Sequence, residues 1–521
     1  KRFIMRLSAF IIFCRISCLV AYSTFGFNKL PLSWLSRLAT TRDVSVAHEI
    51  DRNSNYTIFA GVKFCHPISS ALRNLNISKP TPIQSASLVA LTTGLSCLLH
   101  AETGSGKTLC YLLPILKRLF CNEYRPQTHR QIKAIIVLPT KELAVQVALD
   151  ICNLVEGDDS IVHLCLSNEK KGLESISSPI VVGTPYKILQ ALQVTANTKT
   201  LLSELEYLVL DEIDRLLPVA GRYATNQDKK LIDERTNPAV ELVKYLVQGH
   251  VKEDGKETPF QVVAASATVG RPLRRELSKL CSPSSPSKAS PEGEKSQLHL
   301  IRPSEAEEVA ASRRVGIPAG ICHVAVLDSR ESPELSSKLS VARGLWKGRG
   351  RGIVFVPNSA DAAQALGILR FWGVSEATNL LTSLGIEAGP SEVGPGPEED
   401  APPAPPKGSS LRRSTAELVQ RARLNGLGSS SEGAEGRPSQ LFVTPVSGSR
   451  GLHLQDIDTV LILRPPRTMD EYLHMAGRTG RYGTGQSAGS GTVYTIVDLD
   501  ELKRLQSWQT PLGISFQVQY V

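Results

Sequence analysis

The residues best suited to chemistry in this 521-residue chain are AETGSGKT at 101–108, which follow the apolar run Cys97–Leu99 and precede a helical stretch. That order of strand, loop and helix is what a phosphate cradle requires. Gly104 and Gly106 let the backbone curl so that successive N–H groups face phosphate oxygens beside the positive end of a helix. Thr103, Gly104, Ser105 and Gly106 would line the nucleotide. Lys107 would hold its terminal phosphates, and Thr108 would ligate Mg²⁺. About a hundred residues on, the apolar run Tyr207–Leu210 leads directly into DEID at 211–214. A strand that ends in two carboxylates can supply a metal ligand, Asp211, and a base for the attacking water, Glu212. Alone, DEID would read as an acidic helix start. After a matching phosphate loop it reads as the second half of a nucleoside triphosphate site.

The surrounding elements must place these two loops side by side. Ser96–Leu99, Ile132–Leu138, Pro179–Val182, Leu208–Leu210 and Gln261–Ala264 are short apolar runs, with amphipathic stretches such as Leu109–Phe120 and Glu142–Leu154 between them. Near-continuous apolar strands alternating with helices predict an α/β fold with a parallel sheet covered on both faces. A second alternating region starts near Val315. Its expected strands are His323–Leu327, Ile353–Val356, Gln440–Val443, Thr459–Leu463 and Gly491–Ile496. The predicted layout is a leader over 1–42, a first domain over 55–280, a linker over 281–312 and a second domain over 313–521. Pro/Gly-rich and Gly/Ser-rich insertions are expected at about 387–410 and 426–438.

Composition narrows the alternatives. Apolar residues make up 41% of the chain and charged residues 21%, which excludes a wholly disordered protein. No run of eighteen uninterrupted apolar residues occurs, so no membrane span is expected. The net charge of +9 carries little weight. Seven of the 59 basic residues fall in 1–42, before the first acid at Asp43, and the rest of the chain holds 52 basic against 50 acidic residues. That acid-free, serine-containing leader has transit-peptide composition and predicts a mitochondrial matrix address, with a plastid as the alternative. Ten cysteines without a C-x-x-C pair suggest neither a zinc ribbon nor a disulfide framework; Cys97, Cys110 and Cys165 read as buried thiols.

With these motifs in place, residues from about Phe59 to Tyr482 resemble the DEAD-box RNA helicases. KPTPIQ at 79–84 resembles the family's adenine-reading motif, which implies that Gln84 selects adenine, with Phe59 as the upstream aromatic. PTKELA at 139–144 and TP at 184–185 resemble its RNA-backbone motifs, which implies RNA contacts from Pro139, Thr140, Lys141, Thr184 and Pro185. SAT at 266–268 resembles the coupling motif, with Ser266 and Thr268 bonded to DEID carboxylates, Asp214 among them. HMAGRTGR at 474–481 resembles the motif whose arginines, here Arg478 and Arg481, act as fingers on the transferring phosphoryl.

The resemblance implies two tandem RecA-like domains, ATP and Mg²⁺ as cofactors, and a monomer that binds RNA with low sequence specificity. Ribonucleoprotein or ribosome-assembly partners are a further implication. The sequence also departs from the family. Lys141 replaces Arg, Ile213 replaces Ala, Tyr186-Lys187 replaces Gly-Arg, and Met475 replaces Arg. In TPVSGSRGLHL at 444–454, Arg450 and Gly451 survive as RNA contacts, but His453 stands where the family carries Asp. Two readings of different class follow. One is an ATP-dependent RNA helicase; the other is a nucleotide-gated RNA clamp or assembly scaffold with little unwinding.

Overall fold

Three strands near the middle of the chain, AIIV, IVVG and YLVL, are buried at every position. Strands that are apolar on both faces can only sit inside a sheet with helices above and below it. The computed structural model describes residues 56–101, 105–120, 131–166, 173, 178–217, 237–249, 260–267, 269–281, 298–303, 320–328, 334–346, 348, 350–383, 417–420, 439–446, 454, 457–479 and 491–521. It contains the expected architecture twice.

The strands of the first sheet are β3 (Cys97–His100), β4 (Ala134–Val137), β5 (Val162–Cys165), β6 (Ile180–Gly183), β7 (Tyr207–Leu210), β8 (Gln261–Ser266) and β9 (His299–Ile301). They lie in the order β5-β6-β4-β7-β8-β3-β9, and every pairing is parallel. Side chains alternate between two cores. Leu99, Ile136, Val182 and Val209 face the helices Lys107–Phe120 and Lys141–Leu154. Leu98, Ile135, Val181 and Leu208 face Pro185–Gln193, Pro238–Gly249 and Arg271–Cys281. Ahead of the sheet, β1 (Tyr56–Phe59) and β2 (Val62–Cys65) form an antiparallel hairpin through Ala60 and Gly61, both at positive φ.

The second sheet holds β10 (Ile321–Leu327), β11 (Arg351–Val356), β12 (Ala377–Asn379), β13 (Gln440–Pro445), β14 (Thr459–Ile462), β15 (Gly491–Val497) and β16 (Phe516–Tyr520). Their order is β12-β13-β11-β14-β15-β10-β16, again entirely parallel. Val354, Val356, Val443 and Leu461 pack against the helices Leu335–Trp346 and Ser359–Phe371. Phe355, Phe442 and Val460 lie in a separate cluster with Tyr472, Leu505 and Trp508.

All ten strands expected from sequence are present. One boundary is corrected: residues 281–312 do not act only as a linker, because β9 pairs with β3 and closes the edge of the first sheet. The leader and both insertions lie outside the described residues. Among the described residues no helix is long and apolar enough to cross a membrane. Cys97, Cys110 and Cys165 are buried free thiols, and burial pushes those of Cys97 and Cys110 up to about 12. Cys65, at the end of β2, is in a disulfide.

Candidate active site

In a parallel sheet every strand ends on the same side, so the loops that follow neighbouring strands share one edge. Here β7, β8 and β3 are neighbours, with Leu210 opposite Ala264 and His100 opposite Ser266. The phosphate loop after β3, Ser266 at the end of β8 and DEID after β7 therefore meet at one sheet edge.

The helix Lys107–Phe120 carries Lys107 and Thr108 in its first turn. Lys107 donates from Nζ to the Ala101 carbonyl at 2.7 Å. Burial pulls its ammonium below the ordinary lysine range, and the charges of Asp211, Glu212 and Asp214 work against that shift. Gly106 sits at φ +88°, and a Cβ there would lie 2.4 Å from Gln84 Nε2. Thr103 and Gly104 lie outside the described residues.

Asp211 is buried, and both carboxylate oxygens are engaged. Tyr111 Oη donates to Oδ2 at 2.8 Å, and the Glu212 N–H donates to Oδ1 at 2.9 Å. Burial pushes this carboxyl above the usual range; the Tyr111 hydrogen bond and the Lys107 charge oppose it. Glu212 occupies the left-handed region at φ 49°, ψ 51°, which turns the chain sharply out of β7. Its carboxylate is 3.5 Å from the Arg215 guanidinium. Ser266 Oγ donates to Asp214 Oδ1 at 2.8 Å, so the coupling motif and DEID are in direct contact. Thr268 lies outside the described residues.

These residues fit magnesium and a nucleotide. One buried carboxylate and one hydroxyl in the first turn of a helix are the oxygen donors that suit a hard cation shared with phosphate. Among the described residues no group of three or more His, Cys, Asp or Glu could hold a metal by itself. Asp211 and Thr108 would therefore share the ion with phosphates and water, as suits Mg²⁺.

Gln84, the expected adenine reader, lies in the first turn of the helix Pro82–Thr92. It is 2% exposed; its Oε1 accepts from the Thr81 N–H at 2.9 Å and its Nε2 donates to the Gly106 carbonyl at 3.1 Å. The amide ties the start of the helix Pro82–Thr92 to the phosphate loop. Phe59, the expected upstream aromatic, ends β1. Its side chain is 0% exposed because the inward positions of the hairpin alternate, so it packs the core and presents no face to a ligand.

The same edge continues toward the expected nucleic-acid contacts. Pro139, Thr140 and Lys141 follow β4, whereas Thr184 and Pro185 follow β6, and β6, β4 and β7 are consecutive. Thr140 caps its helix by accepting from the Leu143 N–H at 3.4 Å. Thr184 precedes Pro185 at the start of the next helix, and its buried hydroxyl has no partner among the described residues.

In the second domain, Thr468 caps the helix Met469–Ala476 by accepting from the Glu471 N–H at 3.2 Å. Arg478, one of the two expected fingers, follows this helix. It is 2% exposed, and its Nε donates back to the His474 carbonyl at 2.8 Å. A guanidinium beside the carbonyls of a helix end is electrostatically favoured there. Arg481, Arg450 and Gly451 lie outside the described residues. Tyr111 was missed from sequence because it sits in the apolar run CYLLPIL, where it reads as core; its one signal was a hydroxyl three residues after Thr108.

Comparison with known proteins agrees with this geometry. Residues 81–275 match the DEAD/DEAH box helicase model, and residues 429–483 match the helicase conserved C-terminal domain. The ATP-dependent RNA helicase DBP7 of Eremothecium gossypii is 28% identical over 82% of this chain and 57% of its own length. The probable ATP-dependent RNA helicase ddx27 of Dictyostelium discoideum is 33% identical over 43% of this chain and 28% of its own. The chain thus spans little more than half the length of these relatives at most. Among solved structures, S. cerevisiae Dbp5 bound to RNA and ADP BeF3 aligns over 88% of this chain and 94% of that one, with TM-score 0.56 and 19% identity. Mss116 bound to ssRNA and UDP-BeF aligns over 92% and 81%, with TM-score 0.58 and 15% identity. At those identities the likeness is one of fold, two RecA-like domains in tandem.

Proposed function

Because this chain belongs to the DEAD-box helicase family, we propose that it is an ATP-dependent RNA helicase that grips the RNA backbone and couples ATP hydrolysis to local duplex opening or ribonucleoprotein remodelling. One observation carries the reading. Along a single sheet edge, the expected RNA contacts after β6 and β4 adjoin DEID after β7, then Ser266 on β8, then the phosphate loop after β3. A change at the phosphates can reach the RNA side through directly bonded neighbours. Lys107 and the N–H groups at the start of its helix hold the terminal phosphates. Asp211 and Thr108 would hold magnesium, which when bound would offset the charge on the transferring phosphoryl. Glu212 takes a proton from the attacking water. Ser266, through Asp214, ties β8 to the loop carrying that base.

The buried, inward-folded Arg478 favours a second reading, in which the chain is a nucleotide-gated RNA clamp with little unwinding. Steady-state ATPase activity with and without single-stranded RNA, beside Lys107→Ala, separates the two. RNA-stimulated turnover lost in the variant supports the helicase, and strand displacement is then measured. ATP-dependent RNA binding without stimulated turnover supports the clamp. The acid-free composition of residues 1–42 supports a mitochondrial matrix location, with a plastid as the competing address. Imaging a fluorescent fusion of those residues tests it, and a cytosolic or nuclear signal would reject it.

A further inference from the structure

We propose that Tyr111 is a positioning residue of the nucleotide site, its hydroxyl fixing the Asp211 carboxylate in the orientation that meets magnesium. The inference rests on the reading of Asp211 as the metal-holding carboxylate. Tyr111 lies one turn beyond Lys107 and Thr108 on the same helix, so all three share a face. Its side chain is 1% exposed and belongs to the core between the helices and the first sheet.

The neighbouring positions are hydrocarbon or thiol, and a phenylalanine would fill the same space without a polar atom to satisfy. A buried hydroxyl is unfavourable unless bonded. This one donates to Asp211 Oδ2 at 2.8 Å, across a hundred residues of sequence, and Thr108 and Asp150 are its further polar neighbours. The second oxygen, Oδ1, accepts from the Glu212 N–H at 2.9 Å. With one donor on each oxygen, the carboxylate plane cannot rotate freely about its Cβ–Cγ bond. A carboxylate accepts about four hydrogen bonds, so a site remains on each oxygen for a cation or its water. Tyr111 thus stands behind Asp211 and acts through it. Removing such outer partners of a metal ligand lowers metal affinity by roughly 10–100-fold.

The test is binding of a fluorescent ATP analogue to the full chain, titrated with Mg²⁺ and repeated in EDTA. In Tyr111→Phe, the Mg²⁺ concentration at half-saturation should rise about tenfold, while affinity in EDTA stays within twofold. Tyr111→Met, a softer filler of the same space, should show the same shift and serves if the first variant folds poorly. In an Asp211→Asn background, Tyr111→Phe should add nothing further. An unchanged Mg²⁺ dependence in both Tyr111 variants would overturn the proposal, as would an equal shift in the Asp211→Asn background. In either case wild-type Mg²⁺-dependent binding leaves the functional reading standing. A wild-type chain without Mg²⁺-dependent binding overturns both.

Discussion

Gly106 joins two requirements at one residue. Its φ of +88° strains any L side chain, and its missing Cβ makes room for the Gln84 amide, itself held by hydrogen bonds at both ends. Gly106→Ala must therefore distort the phosphate loop or dislodge Gln84. The expected outcome is at least a tenfold loss of ATP affinity with the circular dichroism spectrum retained, measured by equilibrium binding. Glu212 tests the chemistry separately from the binding. Glu212→Gln keeps the side chain's shape and removes the base, so ATP and RNA should stay bound while turnover falls by two orders of magnitude or more, within the range of about 10²–10⁴ for a lost general base. Gel shift and phosphate release read the two arms; unchanged turnover would remove Glu212 from the mechanism. At this scale the reactive residue types were legible in AETGSGKT and DEID, because loop chemistry is written in short local spacings. The directions of Phe59 and Arg478 were not, because burial depends on what the rest of the chain stacks over them.

Elements hold the site to the accuracy that chemistry needs. Gly183 ends β6 just before Thr184, and a Cβ there would stand 2.5 Å from the Cys165 carbonyl on β5. Since that neighbour is backbone, Gly183→Ala should destabilise the first domain by about 1–3 kcal/mol, read as a lowered denaturation midpoint with an unchanged m-value. In the second domain, His323 Nδ1 lies 2.6 Å from Tyr472 Oη and joins β10 to the helix Met469–Ala476 that precedes Arg478. Burial lowers its pKa from 6.5 to about 4. Above pH 6.5 both folded and unfolded imidazoles are neutral. As the pH falls the unfolded chain protonates first, so stability should be lost between pH 6.5 and 4. Thermal melts across that window should show the loss, and His323→Phe should reduce the slope; a slope unaltered by the variant would reject the assignment. The interior strands were legible as apolar runs. The edge strands β5, β9, β12 and β16 were not, since each is short or partly exposed and an edge strand is defined by the partner that pairs with it.

Across the whole molecule, the near balance of charge beyond residue 42 means that the proposed affinity for RNA would come from placed cations rather than net charge. Binding should still weaken linearly in log–log salt plots, because each neutralised phosphate releases counterions. Lys141→Ala should weaken all sequences alike and reduce that slope by roughly one; a sequence-dependent loss would argue for base reading instead. The sequence by itself determined the class of chemistry, the alternation that makes parallel sheets, and the loops that carry phosphate and carboxylate groups, all of which are local in the chain. Tertiary structure decided which of those loops are neighbours: DEID, Ser266 and the phosphate loop converge because β7, β8 and β3 are adjacent, an order that the chain does not follow. It also decided that Gln84 bonds Gly106, that Tyr111 bonds Asp211, and that Arg478 turns inward. Each of those outcomes depends on which distant groups are brought within hydrogen-bonding reach, and sequence spacing carries no record of that.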